Sequence, residues 1–295
     1  MLPYEKLIQR LAQGETILMD GATGTECERR GVPQMNNAWN GGGPISHPEV
    51  VLQVHRDYLD RGADIIITCT FGTSRHVTRD AGMEHQFEAL TQQAVQLAKQ
   101  ARDESDRPDA VVVGGLTHWS WTGNDPSLEE LYNNTTDQAR LMADSGVDLL
   151  AIEMAIDIPR MNAQVDAARE TGLPVWVGLT CKLDSDGEAV LRNGDSLAEA
   201  LQELQSKQVP VVNIMHTDVH FIEPCLKVIQ RHWLGYTGVY AHTGQFKDNH
   251  WVTQGVISPQ GYAELAKGWV DQGARIIGGC CGMGPDHIDE LKKIM

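Results

Sequence analysis

The sequence predicts an α/β fold in which eight parallel strands, each followed by a helix, close into a (β/α)8 TIM barrel. Eight short apolar runs rich in β-branched residues recur along the 295 residues. Their hydrophobicity is continuous rather than alternating, which is typical of parallel strands that are buried on both faces. Segments with the spacing of amphipathic helices follow most of these runs, as a barrel of βα units requires.

The predicted strands follow one another at fairly regular intervals from the N-terminus to the C-terminus. Helical spacing is clearest in "PEVVLQVHRDYLDRG", "FEALTQQAVQLAKQA", "SLAEALQELQS" and "PQGYAELAKGWVDQG". A doubly wound open sheet is the alternative, but the count of eight units and the absence of an early GxGxxG motif favour the barrel. No linker interrupts the pattern, so one domain is expected over residues 1–295. The eight predicted strands are Thr16–Asp20, Asp64–Cys69, Ala110–Gly115, Val147–Glu153, Pro174–Thr180, Val209–Met215, Thr237–Ala241 and Ala274–Gly279.

Composition excludes several functional classes. The chain has 24 Lys and Arg against 40 Asp and Glu, a net charge of −16, which opposes nucleic-acid binding. No apolar stretch approaches the roughly 20 residues of a membrane span, and the N-terminus lacks the pattern of a secretory signal. The six cysteines are sparse and show no disulfide-framework spacing. We therefore expect a cytoplasmic protein, with no nucleic-acid or membrane partner, whose thiols are available for metal binding or catalysis.

Polar side chains gather at the carboxyl ends of the predicted strands, whereas the strand interiors are almost entirely apolar. In a barrel of this type these ends meet on one face, and that face carries the chemistry. The ends hold carboxylates, imidazoles and thiols, which predicts an active site there. In chain order they are Asp20, Cys69, Gly115, Glu153, Thr180, His216, His242 and the pair Cys280–Cys281.

The adjacent cysteines Cys280 and Cys281 follow the eighth strand in "IIGGCCGMG". Zinc prefers sulfur and nitrogen ligands, and a catalytic zinc site has three protein ligands and one open position. The flanking glycines allow the backbone to bend so that both sulfurs face one ion. His216, at the end of the sixth strand, is the predicted third ligand. A tight turn with two small buried side chains is the alternative.

Several segments resemble the homocysteine S-methyltransferase family, which includes betaine-, S-methylmethionine- and folate-linked enzymes. "IIGGCCGMGPDHI" is similar to the C-terminal signature of that family, and "MDGATGTECERRG" to its first-strand motif. "HPEVVLQVHRDYLDRGADIIITCTFGTS" resembles its second βα unit, "SGVDLLAIE" its strand ending in a substrate-binding glutamate, and "YAHTGQF" its "YPNSG" loop. The resemblance covers nearly the whole chain.

The resemblance implies a zinc-dependent transfer of a methyl group to a thiol within a (β/α)8 barrel. The family normally holds its zinc with three cysteines, two of which match Cys280 and Cys281. The third falls in an "NCT" segment that here reads "MHT", which places His216 on the cysteine position. Cys225 is the nearest cysteine, but it lies in a predicted helix, so His216 is preferred. A neutral imidazole makes the site less negative than three thiolates, which favours deprotonation of a bound thiol and lowers its nucleophilicity.

The resemblance also implies roles for acidic and neighbouring residues. Asp20 and Glu153 match the carboxylates that bind the amino group of homocysteine, and we expect them to act as catalytic and substrate-binding residues. Gly21 is expected to bring backbone amides close to the substrate. Thr180 and His242 are further candidate substrate contacts at strand ends, and His242 occupies a position where the family has asparagine.

The methyl donor is expected to be a small cation bound by aromatic faces through cation–π attraction. Trp39, in "NNAWNGG", matches a donor-contacting tryptophan of betaine-type members, and Trp119 follows the third strand. Trp121 is assigned to loop packing. Two aromatic positions of betaine-type members are Gly72 and Met154 here, which argues against betaine.

Together these observations predict a zinc-dependent S-methyltransferase that acts on homocysteine and gives methionine. Its expected partners are a small-molecule thiol acceptor and a cationic, sulfonium or betaine-like methyl donor, and the sequence is compatible with a homo-oligomer. Two alternatives stay open at this point. The first is a methyltransferase for a different thiol or selenol, and the second is an inactive barrel that binds zinc or thiols.

Overall fold

In a computed structural model that describes residues 1–247, 250–252 and 256–295, eight parallel strands form one sheet. Each of the eight strands predicted from the sequence is present, with bounds that differ by up to three residues. The hydrogen-bonded order is β1-β12-β9-β8-β5-β4-β3-β2. These strands are β1 (Ile17–Leu18), β2 (Ile65–Ile67), β3 (Val111–Thr117), β4 (Leu149–Ala155), β5 (Val175–Leu179), β8 (Val211–Asp218), β9 (Tyr236–His242) and β12 (Ile276–Ile277).

The first and second strands close the sheet into a barrel. Met19 and Ile65 form a parallel bridge between them. On either side of it, the amide of Asp20 donates to the carbonyl of Ile65 at 2.9 Å, and the amide of Asp64 donates to the carbonyl of Leu18 at 2.7 Å. The prediction of a (β/α)8 barrel is therefore confirmed.

The helices begin where local sequence signals place them. Ser127, Asp157, Ser196 and Ser258 each accept a hydrogen bond from the amide three residues later, which satisfies a donor that the first helical turn leaves free. The α-helices of the described part of the chain are α1 (Pro3–Ala12), α2 (Thr23–Arg29), α3 (Gly43–Ser46), α4 (Pro48–Asp60), α5 (Arg75–Asp80), α6 (Phe87–Asp103), α7 (Leu128–Ser145), α8 (Ile158–Arg169), α9 (Leu197–Ser206), α10 (Ile222–His232), α11 (Pro259–Asp271) and α12 (Pro285–Lys292).

The apolar residues form two separate clusters. The larger cluster lies between the outer faces of the strands and the surrounding helices. The smaller one fills the barrel interior with residues such as Ile17, Val111 and Trp176. Leu7 and Leu11 of α1 belong to this inner cluster, so α1 covers the amino-terminal end of the barrel. The opposite end, where the strands terminate, is left for the functional site.

Two antiparallel hairpins supplement the barrel, and the sequence analysis did not predict them. Strands β6 (Cys181–Leu183) and β7 (Ala189–Leu191) follow β5, and β10 (Gln245–Lys247) and β11 (His250–Val252) follow β9. Both hairpins extend from carboxyl ends of barrel strands. They therefore lie on the side of the molecule where the predicted site residues gather.

No helix in the described ranges is both long enough and apolar enough to cross a lipid bilayer.

His55 in α4 is fully buried, and in the described part of the chain neither of its ring nitrogens has a hydrogen-bond partner. Burial lowers the pKa of His55 to about 4. The unfolded chain, in which histidine titrates near 6.5, thus binds a proton more readily, and folding stability falls as the pH drops from about 6.5 towards 4. This shift corresponds to about 3 kcal/mol at the acidic end.

We expect His55→Leu to remove the loss of folding stability that protonation of His55 causes at acidic pH. The measurement is the free energy of unfolding in urea at pH 7 and pH 4.5. The variant should lose less stability than the parent protein between these values, by up to about 3 kcal/mol. His232→Gln, which replaces an exposed histidine of α10, is the control variant. Equal pH dependence of His55→Leu and the parent would contradict the prediction.

Candidate functional site

A cavity of about 330 Å³ opens at the carboxyl ends of the barrel strands. We call its polar residues the inner end and its aromatic residues the outer end. Asp20, Cys69 and Glu153 are buried, whereas His216, Cys280 and Cys281 are half-buried, as the aromatic residues are. The polar residues at the inner end are Asp20, Cys69, Glu153, His216, Cys280 and Cys281. The aromatic residues at the outer end are Trp39, Phe71, Trp119 and Trp121. Most of the predicted site residues therefore line one cavity.

Three side chains with metal-binding atoms converge in this cavity. The Sγ atom of Cys280 lies 3.5 Å from Nδ1 of His216 and 3.9 Å from Sγ of Cys281. The three donor atoms all lie within 4.8 Å of one another. Hydrogen bonding with Cys281 lowers the pKa of Cys280 below its ordinary value, so this thiol ionises first. The group could hold one metal ion, and it is the group predicted from the sequence.

The two adjacent cysteines face the same cavity because the backbone turns immediately after them. The amide of Cys280 donates to the carbonyl of Ala241 at 2.9 Å, which fixes the end of β12 against β9. The amide of Met283 then donates back to the carbonyl of Cys280 at 3.0 Å. Gly282 within this turn has φ +85°, a conformation that glycine adopts without steric cost.

His216 lies in an irregular part of β8 rather than after its end. The register between β8 and β9 shifts between Met215 and Asp218, and His216 has φ +44°. Such a bulge redirects a side chain, and a strained backbone persists only where its surroundings hold it. Here the hydroxyls of Thr180 and Thr217 both donate to the carbonyl of Met215, at 3.1 and 2.9 Å.

Thr180 and His242, two predicted substrate contacts, are not among the residues that line the cavity. Thr180 is buried and holds the backbone beside His216, as its hydrogen bond to Met215 shows. The ring of His242 packs on the ring of His216, with centroids 4.5 Å apart and planes inclined by 40°. Both residues are therefore placed to position His216, and contact with a substrate stays a prediction.

Asp20 and Glu153 place two carboxyl groups at the inner end of the cavity. Asp20 is 2 % exposed and Glu153 is 7 % exposed, and within the described ranges neither forms an ion pair with a basic side chain. Burial raises the pKa of both carboxyls well above the ordinary range, and the amide of Ile67, which donates to Oδ2 of Asp20 at 2.8 Å, partly offsets this. Gly21 also lines the cavity. A buried carboxylate without a cationic partner is unfavourable, so the site is suited to bind a cation.

Trp39 forms part of the aromatic end and is fixed by two neighbours. Its indole Nε1–H donates to Oε2 of Glu28 at 3.1 Å. Its ring lies directly against Gly24 in α2, where a Cβ atom would collide with it. Trp39 also has φ +48°, an uncommon value for a bulky residue. These contacts orient one aromatic face beside the polar end of the cavity.

Trp119 and Trp121 complete the aromatic end with different partners. The guanidinium of Arg192 lies over the ring of Trp119, 5.4 Å from its centroid. Trp121 packs edge-on against Phe71, with centroids 5.9 Å apart. Trp121 was predicted to serve in loop packing, and it packs in this way while also lining the cavity.

Arg192, Phe71 and Tyr240 line the cavity but were not predicted. Arg192 lies immediately after the unpredicted hairpin β6–β7, whose turn sequence "DSDG" is the signal that sequence reasoning could have used. Phe71 follows β2 by four residues and Tyr240 lies within β9, two residues before the predicted His242. No sequence motif distinguishes either from an ordinary core aromatic residue.

Gly24→Ala is expected to raise the KM for the methyl donor by about tenfold with little change in kcat, since a displaced Trp39 loses its cation–π contact. The added Cβ would collide with the indole ring, although alanine itself suits a helix better than glycine. Steady-state kinetics with the donor varied tests this. Gly268→Ala in α11, where a Cβ meets open space, is the matched control. An unchanged donor KM in Gly24→Ala would argue against a donor role for Trp39.

Comparison with known proteins identifies the family. The sequence profile of a family described as homocysteine S-methyltransferase matches residues 17–295. The chain belongs to the homocysteine S-methyltransferase family. Membership confirms the predicted resemblance and the prediction of a methyltransferase. The roles of individual residues stay predictions.

Several related proteins match this chain along nearly their whole length. A selenocysteine methyltransferase from Astragalus bisulcatus is 28 % identical, with 96 % of this chain and 93 % of the relative covered. Homocysteine S-methyltransferase 1 from Zea mays is also 28 % identical, with 99 % and 97 % covered. The metallated form of the homocysteine methyltransferase MmuM from Escherichia coli is 23 % identical, covers 99 % of this chain and 100 % of its own, and superposes with a TM-score of 0.82. At that identity the last match supports the fold alone.

Proposed function

We propose that this chain transfers a methyl group from a small onium donor to the thiol of homocysteine, giving methionine. The observation that carries the proposal is the convergence of three metal-binding atoms and two buried carboxyls in one cavity. A thiol that enters this cavity can reach the metal-binding atoms while its amino group lies near the carboxyls. A single barrel domain over residues 1–295 and a cytoplasmic location are part of the proposal, and the six free cysteines support a reducing compartment.

The distances from Sγ of Cys280 to the donor atoms of Cys281 and His216 match those expected for zinc. Tetrahedral zinc has Zn–S bonds of about 2.3 Å and Zn–N bonds of about 2.0 Å, which separate two sulfurs by about 3.8 Å and a sulfur from a nitrogen by about 3.5 Å. The corresponding distances here are 3.9 and 3.5 Å. The donor set of two thiolates and one imidazole is also typical of zinc, and three protein ligands leave one position for a substrate.

Bound zinc would lower the pKa of a coordinated thiol, so that the thiol is ionised at neutral pH. The free thiol ionises near pH 8.5 and is mostly protonated in the cell. Cys280, Cys281 and His216 would hold the ion, and Thr180 and Thr217 maintain the strained backbone that presents His216. The imidazole makes the site one charge less negative than three thiolates, which favours uptake of an ionised thiol.

Asp20 and Glu153 are proposed to bind the ammonium group of homocysteine. Among the described residues no basic side chain pairs with either carboxyl, and burial penalises their ionised forms. A substrate ammonium would neutralise this charge and form charge-assisted hydrogen bonds, which are stronger than those between neutral groups. Selectivity for an amino-acid thiol over a simple thiol follows from this pairing.

Trp39 and Trp119 are proposed to bind the methyl donor. Each good cation–π contact contributes roughly 0.5–2 kcal/mol, depending on desolvation. A sulfonium or ammonium held by these rings would share the cavity with the acceptor thiol, so both reactants are held close together and much of the entropic barrier is removed. The inactive-barrel alternative is disfavoured, since the metal-binding atoms, carboxyls and aromatic end are all retained.

The test is a matrix of acceptors and donors with zinc-loaded protein. Homocysteine and selenocysteine would each be incubated with S-methyl-L-methionine, S-adenosyl-L-methionine, glycine betaine and trimethylsulfonium, and the products quantified by mass spectrometry. We expect methionine from homocysteine with at least one sulfonium donor. A strong preference for selenocysteine would reassign the acceptor. Absence of methyl transfer to either acceptor from every donor would overturn the proposal.

A further inference from the structure

Arg192 is held firmly at the mouth of the cavity by the backbone around it. It follows β7 directly, and its amide donates to the carbonyl of Thr180 at 2.9 Å. The amide of Asn193 donates to the carbonyl of Ile156 at 3.2 Å. The amide of Leu191 donates to the carbonyl of Asp195 at 2.9 Å. The hairpin end is thus fastened to the ends of barrel strands. Arg192 is exposed, yet its backbone position is fixed.

The charge of Arg192 is not neutralised within the described part of the chain. No carboxylate there forms an ion pair with its guanidinium, whereas most other arginines have such a partner. Among the described residues that line the cavity, Arg192 is the one Lys or Arg side chain. Its guanidinium lies over Trp119, 5.4 Å from the ring centroid. A positive charge therefore lies against one of the aromatic residues of the cavity.

This arrangement conflicts with a donor that is only a cation. A guanidinium beside the aromatic faces repels an onium ion that lacks a negative group, since like charges at such distances are unfavourable. An onium compound that also carries a carboxylate avoids this conflict. Its cationic end can contact the rings while its carboxylate accepts the paired hydrogen bonds that guanidinium provides.

We propose that Arg192 binds the carboxylate of the methyl donor and thereby selects zwitterionic donors over simple onium ions. The inference rests on the proposed function and specifies the donor class for the same site. The acceptor amino acid also carries a carboxylate, but its amino group is assigned to Asp20 and Glu153, which are buried, whereas Arg192 is exposed and lies over Trp119, one of the proposed donor rings. The donor is therefore the preferred source of the carboxylate.

The experiment compares Arg192→Gln with the parent protein using two sulfonium donors and homocysteine. S-Methyl-L-methionine carries a carboxylate, and trimethylsulfonium does not. A charge-assisted hydrogen bond lost at Arg192 should raise the KM for S-methyl-L-methionine about 10- to 100-fold, with kcat within about twofold. The KM for trimethylsulfonium should stay equal or fall, and the KM for homocysteine should not change.

Further variants separate recognition from a structural effect. Arg192→Lys keeps the charge but not the fork geometry and should lie between the parent and Arg192→Gln. Arg231→Gln removes an exposed arginine of α10 that does not line the cavity, and should change neither donor. Equal rises in KM for both donors, or a rise confined to homocysteine, would overturn the inference.

Equilibrium binding keeps this test independent of turnover. Calorimetric titration of the zinc-loaded protein with each donor should show the same loss of preference in Arg192→Gln. If the parent protein turns over no donor, the proposed function fails. If it turns over sulfonium donors but Arg192→Gln retains their ratio of affinities, only the present inference fails.

Discussion

Cys280→Ser and Cys281→Ser are each expected to lose bound metal during purification and to lower kcat/KM for methyl transfer by at least about 100-fold. The apparent free energy of zinc binding by a set of four ligands is about 10–16 kcal/mol, so one ligand accounts for about 3 kcal/mol. A serine hydroxyl does not ionise near neutral pH and cannot replace a thiolate. Zinc per chain, measured by plasma emission spectrometry, and initial rates test the prediction.

Cys225→Ala is the matched control for these variants. Cys225 is a buried thiol in α10 and is not part of the metal-binding group. Its loss should reduce stability slightly, as a small cavity in the core does, but leave zinc content at the parental value. If zinc content were equal in Cys280→Ser and Cys225→Ala, the cysteine pair would not be the metal site.

The third ligand is tested by a spectroscopic change rather than by activity alone. His216→Cys should retain metal, because it restores a sulfur ligand at the same backbone position. In the cobalt-substituted protein, absorption from sulfur-to-metal charge transfer grows with the number of thiolate ligands. The parent protein should therefore show the absorption of two thiolates, and His216→Cys should show the stronger absorption of three. His216→Ala should lose metal. If neither variant alters metal content, the spectrum or the donor profile, His216 is not a ligand.

The strands could be predicted because burial on both faces leaves a continuous apolar run, as in Val111–Val113, which no polar position interrupts. The strands of the β6–β7 hairpin have three residues each and are too short to show alternation, so its turn sequence "DSDG" was the one local signal of the hairpin. Missing the hairpin also meant missing a residue of the site. Arg192, which the hairpin delivers to the cavity, was absent from the predicted site.

The metal-binding residues Cys280, Cys281 and His216 show which part of a site can be predicted from the sequence. Cys280 and Cys281 are adjacent, so their joint role followed from local chemistry. Their approach to His216, 64 residues away, depends on closure of the barrel, and only the three-dimensional structure gives the 3.5 Å distance. The direction in which each side chain at a strand end points is even harder to predict from the sequence. Glu153 and Met154 are consecutive yet both line the cavity, because the register of β4 shifts there and Met154 has φ +57°.

Glu153→Gln is expected to raise the KM for homocysteine by about 100-fold, because a neutral amide loses the charge-assisted hydrogen bond to the substrate ammonium. The same variant should be more stable than the parent in the absence of substrate. Burial raises the pKa of Glu153 above its ordinary value, so the folded parent holds a proton that the unfolded chain releases. Parental stability therefore falls as the pH rises above about 4.5.

The variant lacks this titration, so its advantage in unfolding free energy should grow from pH 4.5 to pH 7. Urea unfolding of substrate-free protein across that range measures it. A site residue that weakens the fold but strengthens substrate binding is typical of groups selected for function. A Glu153→Gln variant with parental stability at pH 7 and a parental KM would show that burial does not raise the pKa of this carboxyl and that the carboxyl does not meet the substrate.

The position of the carboxylate can be separated from its charge through Gly115. A Cβ atom at this residue would collide with Oε2 of Glu153, so Gly115→Ala should displace the carboxylate while leaving it ionisable. We expect a raised homocysteine KM without the stability gain of Glu153→Gln. The adjacent Gly114→Ala is the matched control, because its Cβ would meet Met142 and Leu150 instead. In a Glu153→Ala background the collision disappears, so Gly115→Ala should then cost little stability. If its cost were the same in both backgrounds, the strain would lie in the strand itself, and Gly115 would have no part in placing Glu153.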